Sequence, residues 1–227
     1  MKKITILLFI GFLTGCTVSN KVWKYTAEPP TYKETEVKAS LQVNKFNDLR
    51  ENNNEIMSGG KLFLAMMPLV PYTTVSDLKV PEGLLPKAPD IFAEATGEEI
   101  RNAGIFEDVI ILPPSQKNNA DYLLEGTILT TNVRQTISFY GLSLPGDLLW
   151  VLGAPPGKAY NDISIKFRLI NKKYEVLFEK VYNREKDWWL SYYSNQGLNF
   201  YEELYKSINI ELLHDLREVL YREKIKS

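Results

Sequence analysis

Residues 163–169 place large apolar side chains at Ile163, Ile165, Phe167 and Leu169, with polar Ser164, Lys166 and Arg168 between them. Successive side chains of a strand point to opposite faces, so this period of two specifies a strand with one dry and one wet face. Asn171-Lys172-Lys173 supplies a turn, and residues 174–182 make the return strand of a hairpin. A hairpin cannot bury its dry face alone and needs further strands and a covering layer. The cover lies at the far end of the chain. Tyr201, Leu204, Tyr205, Ile208, Leu212, Leu216, Val219 and Leu220 recur at the spacing of one face of a long helix.

The remaining regular elements extend this frame. Val37, Ala39, Leu41 and Val43 alternate with Glu36, Lys38, Ser40 and Gln42, which predicts a first strand. Asp90 stands where an N-cap is expected before Ile91 and Phe92. Phe92, Thr96, Ile100 and Ala103 follow at near-helical spacing, and Gly104 suits the left-handed position after a helix end. Residues 105–112 predict a strand stopped by Pro113-Pro114, and residues 121–133 another, with Gly126 as a bulge or a close backbone approach. The order is strand, irregular insert, helix, strand, strand, hairpin, helix. It predicts an α/β (α+β) fold: a mixed β-sheet with helices packed mainly on one face, plus a Pro/Gly-rich apolar insert.

Two segments do not fit a solvated loop. Residues 51–60 are polar, rich in asparagine and closed by two glycines, as a flexible loop should be. Residues 62–67 are an unbroken apolar run followed by Pro68-Leu69-Val70-Pro71-Tyr72, where the prolines forbid a long helix. Residues 139–157 combine four glycines' worth of turns with Tyr140, Leu142, Leu144, Leu148, Leu149, Trp150 and Leu152. Such groups need cover. Either the two segments cover each other or an open end of the sheet, or they form a surface for another protein, a second copy or a membrane, with those seven residues as its candidates. Ser143 and Asp147 interrupt the stretch as an interface rim does. Trp188, Trp189, Tyr192 and Tyr193 form a second candidate, an aromatic face for a glycan or a partner, or else packing between hairpin and last helix.

The N-terminus carries an address. Lys2 and Lys3 precede an apolar run, residues 4–13, broken only by Thr5 and Gly11. That length is about half of what a spanning helix needs, and the layout is that of an export signal. Leu13-Thr14-Gly15-Cys16 closes it, and this quartet resembles the lipobox of bacterial lipoproteins. The resemblance implies diacylglyceryl transfer to Cys16, cleavage after Gly15 and N-acylation with palmitate-type chains. Two or more such chains anchor stably where one does not. The expected organisation is a signal peptide at 1–15, a lipidated tether at 16–35 and a single α/β domain at 36–227. Trp23 and Tyr25 are unusual in a plain linker and are expected to dock on the domain, or else to sit at the lipid headgroups. Removing residues 17–31 is otherwise expected to cost the fold little. Thr17 in place of the aspartate that retains lipoproteins at the inner membrane implies an outer-membrane address facing the periplasm.

Using Cys16 for lipid removes the single cysteine from the folded part, so stability has to come from a packed core. The formal net charge of −1 becomes about −3 once Lys2 and Lys3 leave, and no basic cluster stands out; a nucleic-acid partner is not expected. His214 is the one histidine, on the polar side of the last helix, so the usual ligands of zinc, copper or haem are missing. No phosphate loop, nucleophile elbow or calcium loop is present. No catalytic residue, metal or cofactor is expected.

Three passages carry a further resemblance: residues 41–48 (Leu-Gln-Val-Asn-Lys-Phe-Asn-Asp), Ala120-Asp121-Tyr122-Leu123-Leu124-Glu125-Gly126-Thr127, and the hairpin at 163–182. They resemble a group of periplasmic domains that includes the TolB amino-terminal domain, the curli-secretion channel lipoprotein and lipoprotein activators of penicillin-binding proteins. The Pro-Leu-Val-Pro-Tyr and Tyr-Gly-Leu-Ser segments resemble uncharacterised bacterial lipoproteins. The resemblance implies the fold and an envelope compartment, and it carries no catalytic residue. The expected function is a membrane-anchored, non-enzymatic module that binds another envelope component, an envelope protein or its own copies. The alternative is a transport part, either a self-assembling channel subunit or an exporter accessory lipoprotein. An envelope hydrolase ranks third.

Overall fold

The computed structural model describes residues 25–30, 35–56, 59–80, 87–112, 119–191 and 201–226. The export signal, Cys16, Trp23, Pro113-Pro114, Tyr192 and Tyr193 lie outside the described residues.

Seven strands form one mixed sheet. They are β1 (Val37–Asn44), β2 (Asn47–Asp48), β3 (Thr73–Leu78), β4 (Phe106–Leu112), β5 (Tyr122–Ile137), β6 (Gly157–Asn171) and β7 (Val176–Trp189). The main path runs β4-β1-β5-β6-β7. Along one edge, β5 pairs in succession with β1 and β2, both parallel, and with β3, antiparallel. Along its other edge it pairs with β6 over its whole length. The hairpin predicted at 163–182 therefore extends to 157–189, and β3 is a strand the sequence reading left inside an irregular insert.

Helix α1 (Gly59–Ala65) is one short segment of the apolar insert, beginning inside what reads as a flexible loop. Helix α2 (Ala88–Ala103) lies between β3 and β4 and leads directly into β4, which pairs parallel with β1, and helix α3 (Asp147–Val151) lies in the loop between β5 and β6. Helix α4 (Tyr201–Lys226) closes the chain. Asp90 is not the N-cap of α2. Lys87 occupies that position with no side-chain cap, Pro89 fills the first turn, and Asp90 sits within the turn, 2.9 Å from Lys45 Nζ. Proline is well suited there because its missing N–H would have had no helical partner. Gly104 ends the helix at φ 53°, the left-handed conformation that glycine adopts freely.

Helices α2 and α4 pack together on one face of the sheet. Tyr201, Leu204, Tyr205, Ile208, Leu212, Leu216 and Leu220 are all buried, facing Leu41, Val43, Leu124, Ile128, Ile163, Ile165, Phe167 and Leu169 below. Phe92 of α2 stacks on Tyr205 of α4 at 4.4 Å between centroids. Tyr205 Oη donates to Phe92 O at 2.7 Å and shares a 2.5 Å hydrogen bond with Thr96 Oγ1. The two helices are thus joined by a ring stack and a closed polar pair, so neither hydroxyl is orphaned. Gly126 stays paired with Phe167 in the ladder, and the bulge falls later, between Ile128 and Thr130. The glycine serves a close approach: a Cβ there would lie 2.5 Å from the Phe46 ring.

The opposite face of the sheet is wet. Arg168 bridges Glu125 and Glu179 at 3.9 and 3.7 Å, and Lys166 stands 3.8 Å from Glu179. Such exposed pairs contribute at most about 1 kcal/mol each, so they mark the solvated side without holding the fold. The mixed sheet with helices on one face matches the predicted class.

Residues 25–30 belong to this fold. Tyr25 sits edge-on to Tyr205 at 5.7 Å, and its hydroxyl donates to buried Glu99 at 2.5 Å. Burial, then the Glu99 carboxylate, pushes the Tyr25 hydroxyl well above the usual tyrosine range. Glu28 N–H also donates to Glu99, at 3.2 Å, and Asn102 Nδ2 donates to Glu28 O at 2.7 Å. The expected docking of Tyr25 thus closes over a carboxylate that would otherwise be a costly buried charge.

Candidate functional site

Thr73, Ile137 and Gly157 lie side by side across three strands, and the next pair along, Lys158 with Trp189, carries the row to β7. This row is one end of the sheet. Both apolar segments of the sequence gather there, because residues 59–72 lead into Thr73 and residues 138–156 join Ile137 to Gly157.

The two segments are knotted together by backbone. Leu69 N–H donates to Gly141 O at 3.0 Å, and Ser138 Oγ donates to Pro71 O at 2.5 Å while accepting from Tyr140 N–H at 3.0 Å. Trp150 Nε1 donates to Ser138 O at 2.8 Å, and its ring packs on buried Phe139 at 4.8 Å. Tyr140 Oη donates to Pro155 O at 2.5 Å. Ser138 is almost fully buried at the centre of this arrangement. Leu69, Tyr140 and Ser143 hold φ at 68°, 58° and 59°. Each is a strained backbone for a residue with a Cβ, and strain of this kind persists only where surrounding contacts over-determine it.

The seven residues predicted as a surface divide into two groups. Tyr140, Leu149 and Trp150 are half-buried, and the hydrogen bonds of Tyr140 and Trp150 hold the loop closed at the sheet end. Leu142, Leu148 and Leu152 point outward, Leu152 being 81 % exposed; the side chain of Leu144 lies outside the described residues. The other half of the surface comes from the segment at 62–72, whose residues were not singled out from the sequence: Phe63, Leu64 and Met67 from α1 and its end, and Leu69, which is 90 % exposed. The signal was present as the unbroken apolar run at 62–67.

Trp188 and Trp189 do not share a face. As neighbours on β7 they point to opposite sides of the sheet, Trp188 half-buried and Trp189 half exposed on the wet side with Lys158 Nζ 4.3 Å from its ring centre.

The polar constellations lie elsewhere. Lys180 Nζ is 2.7 Å from both Glu211 and Asp215, Tyr182 Oη donates to Asp215 at 2.5 Å, and Arg184 bridges to Glu211. Lys180, then Arg184, holds Glu211 below its usual range. Burial, then the Asp215 carboxylate, pushes the Tyr182 hydroxyl up. These bonds lash β7 to α4. His214, Asp215 and Glu218 come close together at the surface of α4 with no further ligand beside them among the described residues. Burial raises Asp162 on the wet face, where it accepts from Asn132 and Thr130. None of these groups sets a nucleophile against a base at hydrogen-bond distance in a cleft.

No protein-family profile and no curated protein sequence matches the chain. Solved structures match the chain at low identity, two of them as follows. One is protein XCC0632 from Xanthomonas campestris, of the DUF330 family, at 10 % identity and a TM-score of 0.49, over 90 % of this chain and 99 % of that one. The other is an uncharacterised protein at 11 % identity and a TM-score of 0.34, over 88 % of this chain and 99 % of that one.

Proposed function

We propose that this chain is a lipid-anchored cell-envelope protein, attached through acylated Cys16 at the outer membrane, whose domain is a non-enzymatic binding or assembly module for another envelope component. The observation that carries the reading is the apolar end of the sheet. A core is already closed between the helices and the dry face, and the outward leucines and Phe63 at the sheet end are not part of it among the described residues. A surface of this kind marks a contact outside the chain, with a partner or with the membrane itself. The polar groups support the same reading, since those with shifted acidity form ion pairs and hydrogen bonds that hold elements together.

The test has two parts. Cys16→Ser is expected to abolish membrane association and leave an uncleaved or misrouted precursor, because no helix among the described residues is long and apolar enough to cross a membrane. A processed Cys16→Ser protein that still pellets with membranes would overturn the anchor. Crosslinking in intact cells followed by size analysis in mild detergent then separates a binding module, running as a monomer or dimer with captured partner, from a ring of subunits acting in transport.

A further inference from the structure

The apolar end can be assigned an occupant from three observations. The first concerns hydrogen bonding. The backbone of its loops is largely closed on itself: Leu142 N–H donates to Phe139 O, Gly146 to Ser143, Leu152 to Leu148 and Ala154 to Leu149, at 2.8–3.2 Å. What projects is hydrocarbon, from Phe63, Leu69, Leu142, Leu148 and Leu152. A protein interface of ordinary character carries about one hydrogen bond per 100–200 Å², so it needs donors and acceptors among its apolar groups. A lipid phase demands the reverse, with backbone groups satisfied internally.

The second observation is the rim. Tyr72 and Trp189, both about half exposed, flank the apolar end, and the Lys158 ammonium lies over the Trp189 ring. Amphipathic rings and lysines with long apolar stems are the groups that settle at headgroup level.

The third is reach. Tyr25 stands beside Tyr205, near the start of α4, and Tyr201 Oη donates to Asn132 O, five residues short of Ile137 on β5. At about 3.3 Å per strand residue, the sheet end lies roughly 20 Å beyond Tyr25. Eight residues lie between Cys16 and Tyr25, and the nine chain steps span up to about 30 Å when extended. The N-terminal chain can therefore bring lipid on Cys16 level with the apolar end.

We infer that this end, α1 with the 138–156 loop, rests in the interfacial layer of the same bilayer that holds the lipid on Cys16, as a second attachment. The inference rests on the lipid-anchor reading of Cys16. It stands the strands upright on the membrane and leaves the wet sheet face free for a protein partner. The lipid supplies most of the attachment, and the high local concentration it creates lets a small apolar end engage.

The experiment uses the full-length lipidated protein, in which Cys16 is blocked by its lipid, carrying Leu152→Cys labelled with a nitrobenzoxadiazole fluorophore. It is reconstituted into vesicles of phosphatidylethanolamine and phosphatidylglycerol. The expected result is a blue-shifted emission that lipids spin-labelled near the glycerol backbone quench at least twofold. The same label at Tyr174→Cys, on the hairpin turn at the other end of the sheet, should stay in water unquenched. A Leu152 probe that remains water-exposed while the protein floats with the vesicles overturns the inference and leaves the anchor standing. A blue shift that lipid spin labels fail to quench means a second copy covers the end, and also overturns it. A protein that does not float removes the anchor, and this inference with it.

Discussion

Asp121 holds Ser40 through both of its donors: Oδ2 accepts from the Ser40 backbone N–H and from its hydroxyl, each at 2.9 Å. Ser40 Oγ in turn accepts from Asp121 N–H at 3.1 Å, and Lys172 Nζ reaches Oδ1 at 2.6 Å. One carboxylate thereby ties the start of β5 to β1 and to the β6–β7 turn. Lys172 first, then the two bonds from Ser40, depress its pKa to about 2.

A depressed carboxylate stabilises the fold above its unfolded pKa and loses that contribution as pH falls through the folded value. Asp121→Asn should therefore lower stability at neutral pH, by roughly 1 kcal/mol given the partial exposure of the pair. The gap between variant and parent should narrow between pH 4 and pH 2, the ordinary and the depressed pKa of this group. Urea melts of both proteins across that range measure it; a gap constant with pH would refute the assignment.

Gly126→Ala should cost about 1–3 kcal/mol, because the added methyl runs into the Phe46 ring, which is itself wedged edge-on to Phe167 at 5.4 Å. Phe46→Leu makes room but loses apolar burial. Combined with Gly126→Ala it should cost less than the sum of the two single changes. Thermal melts of the double-mutant cycle decide the matter.

Tyr25→Ala should destabilise the domain by roughly 2–4 kcal/mol, through loss of a packed ring and of the hydroxyl bonded to buried Glu99. Shortening the N-terminal segment up to residue 24 should cost far less. Denaturant titration of the two variants locates where the fold begins.

At the apolar end, Trp150→Ala should lower stability by about 2–4 kcal/mol, since its indole fills the space against Phe139 and satisfies Ser138 O. Leu152→Ala should fall within about 0.5 kcal/mol of the parent. Leu69→Gly should leave the melting temperature unchanged or raised, because glycine relieves the left-handed backbone at φ 68°. Both leucine variants should weaken vesicle contact. A Leu152→Ala protein that melts as early as Trp150→Ala would make the end part of the core.

Elements with long, regular periods were legible from the residues alone. The alternation at Ile163 to Leu169 and the stripe from Tyr201 to Leu220 are local patterns that the sheet and its helical cover simply preserve. Strand β3 was not legible: Thr73-Thr74-Val75-Ser76-Asp77-Leu78 lacks strict alternation, and its pairing to β5 is set by residues more than fifty positions away. The N-cap failed for a similar reason, as Asp90 is engaged by Lys45 from β1's exit. At the site, the apolar residues of 139–157 marked the place, but sequence alone could not separate Trp150, turned inward by one hydrogen bond, from Leu148 and Leu152, turned out.

Strand β5 has a further consequence for how the molecule comes into being. It is the only strand described here that pairs with four others, and its partners run from β1 to β6. A chain that emerges amino end first presents β1, β2, β3 and β4 before residue 122 is available. Only β1 and β4 can find each other in that interval, and two parallel strands make a weak nucleus. The sheet therefore assembles late and largely at once, after β5 and the hairpin beyond it have been delivered. Such dominance of distant pairings slows folding and lengthens the time during which unpaired edges stay open to other chains.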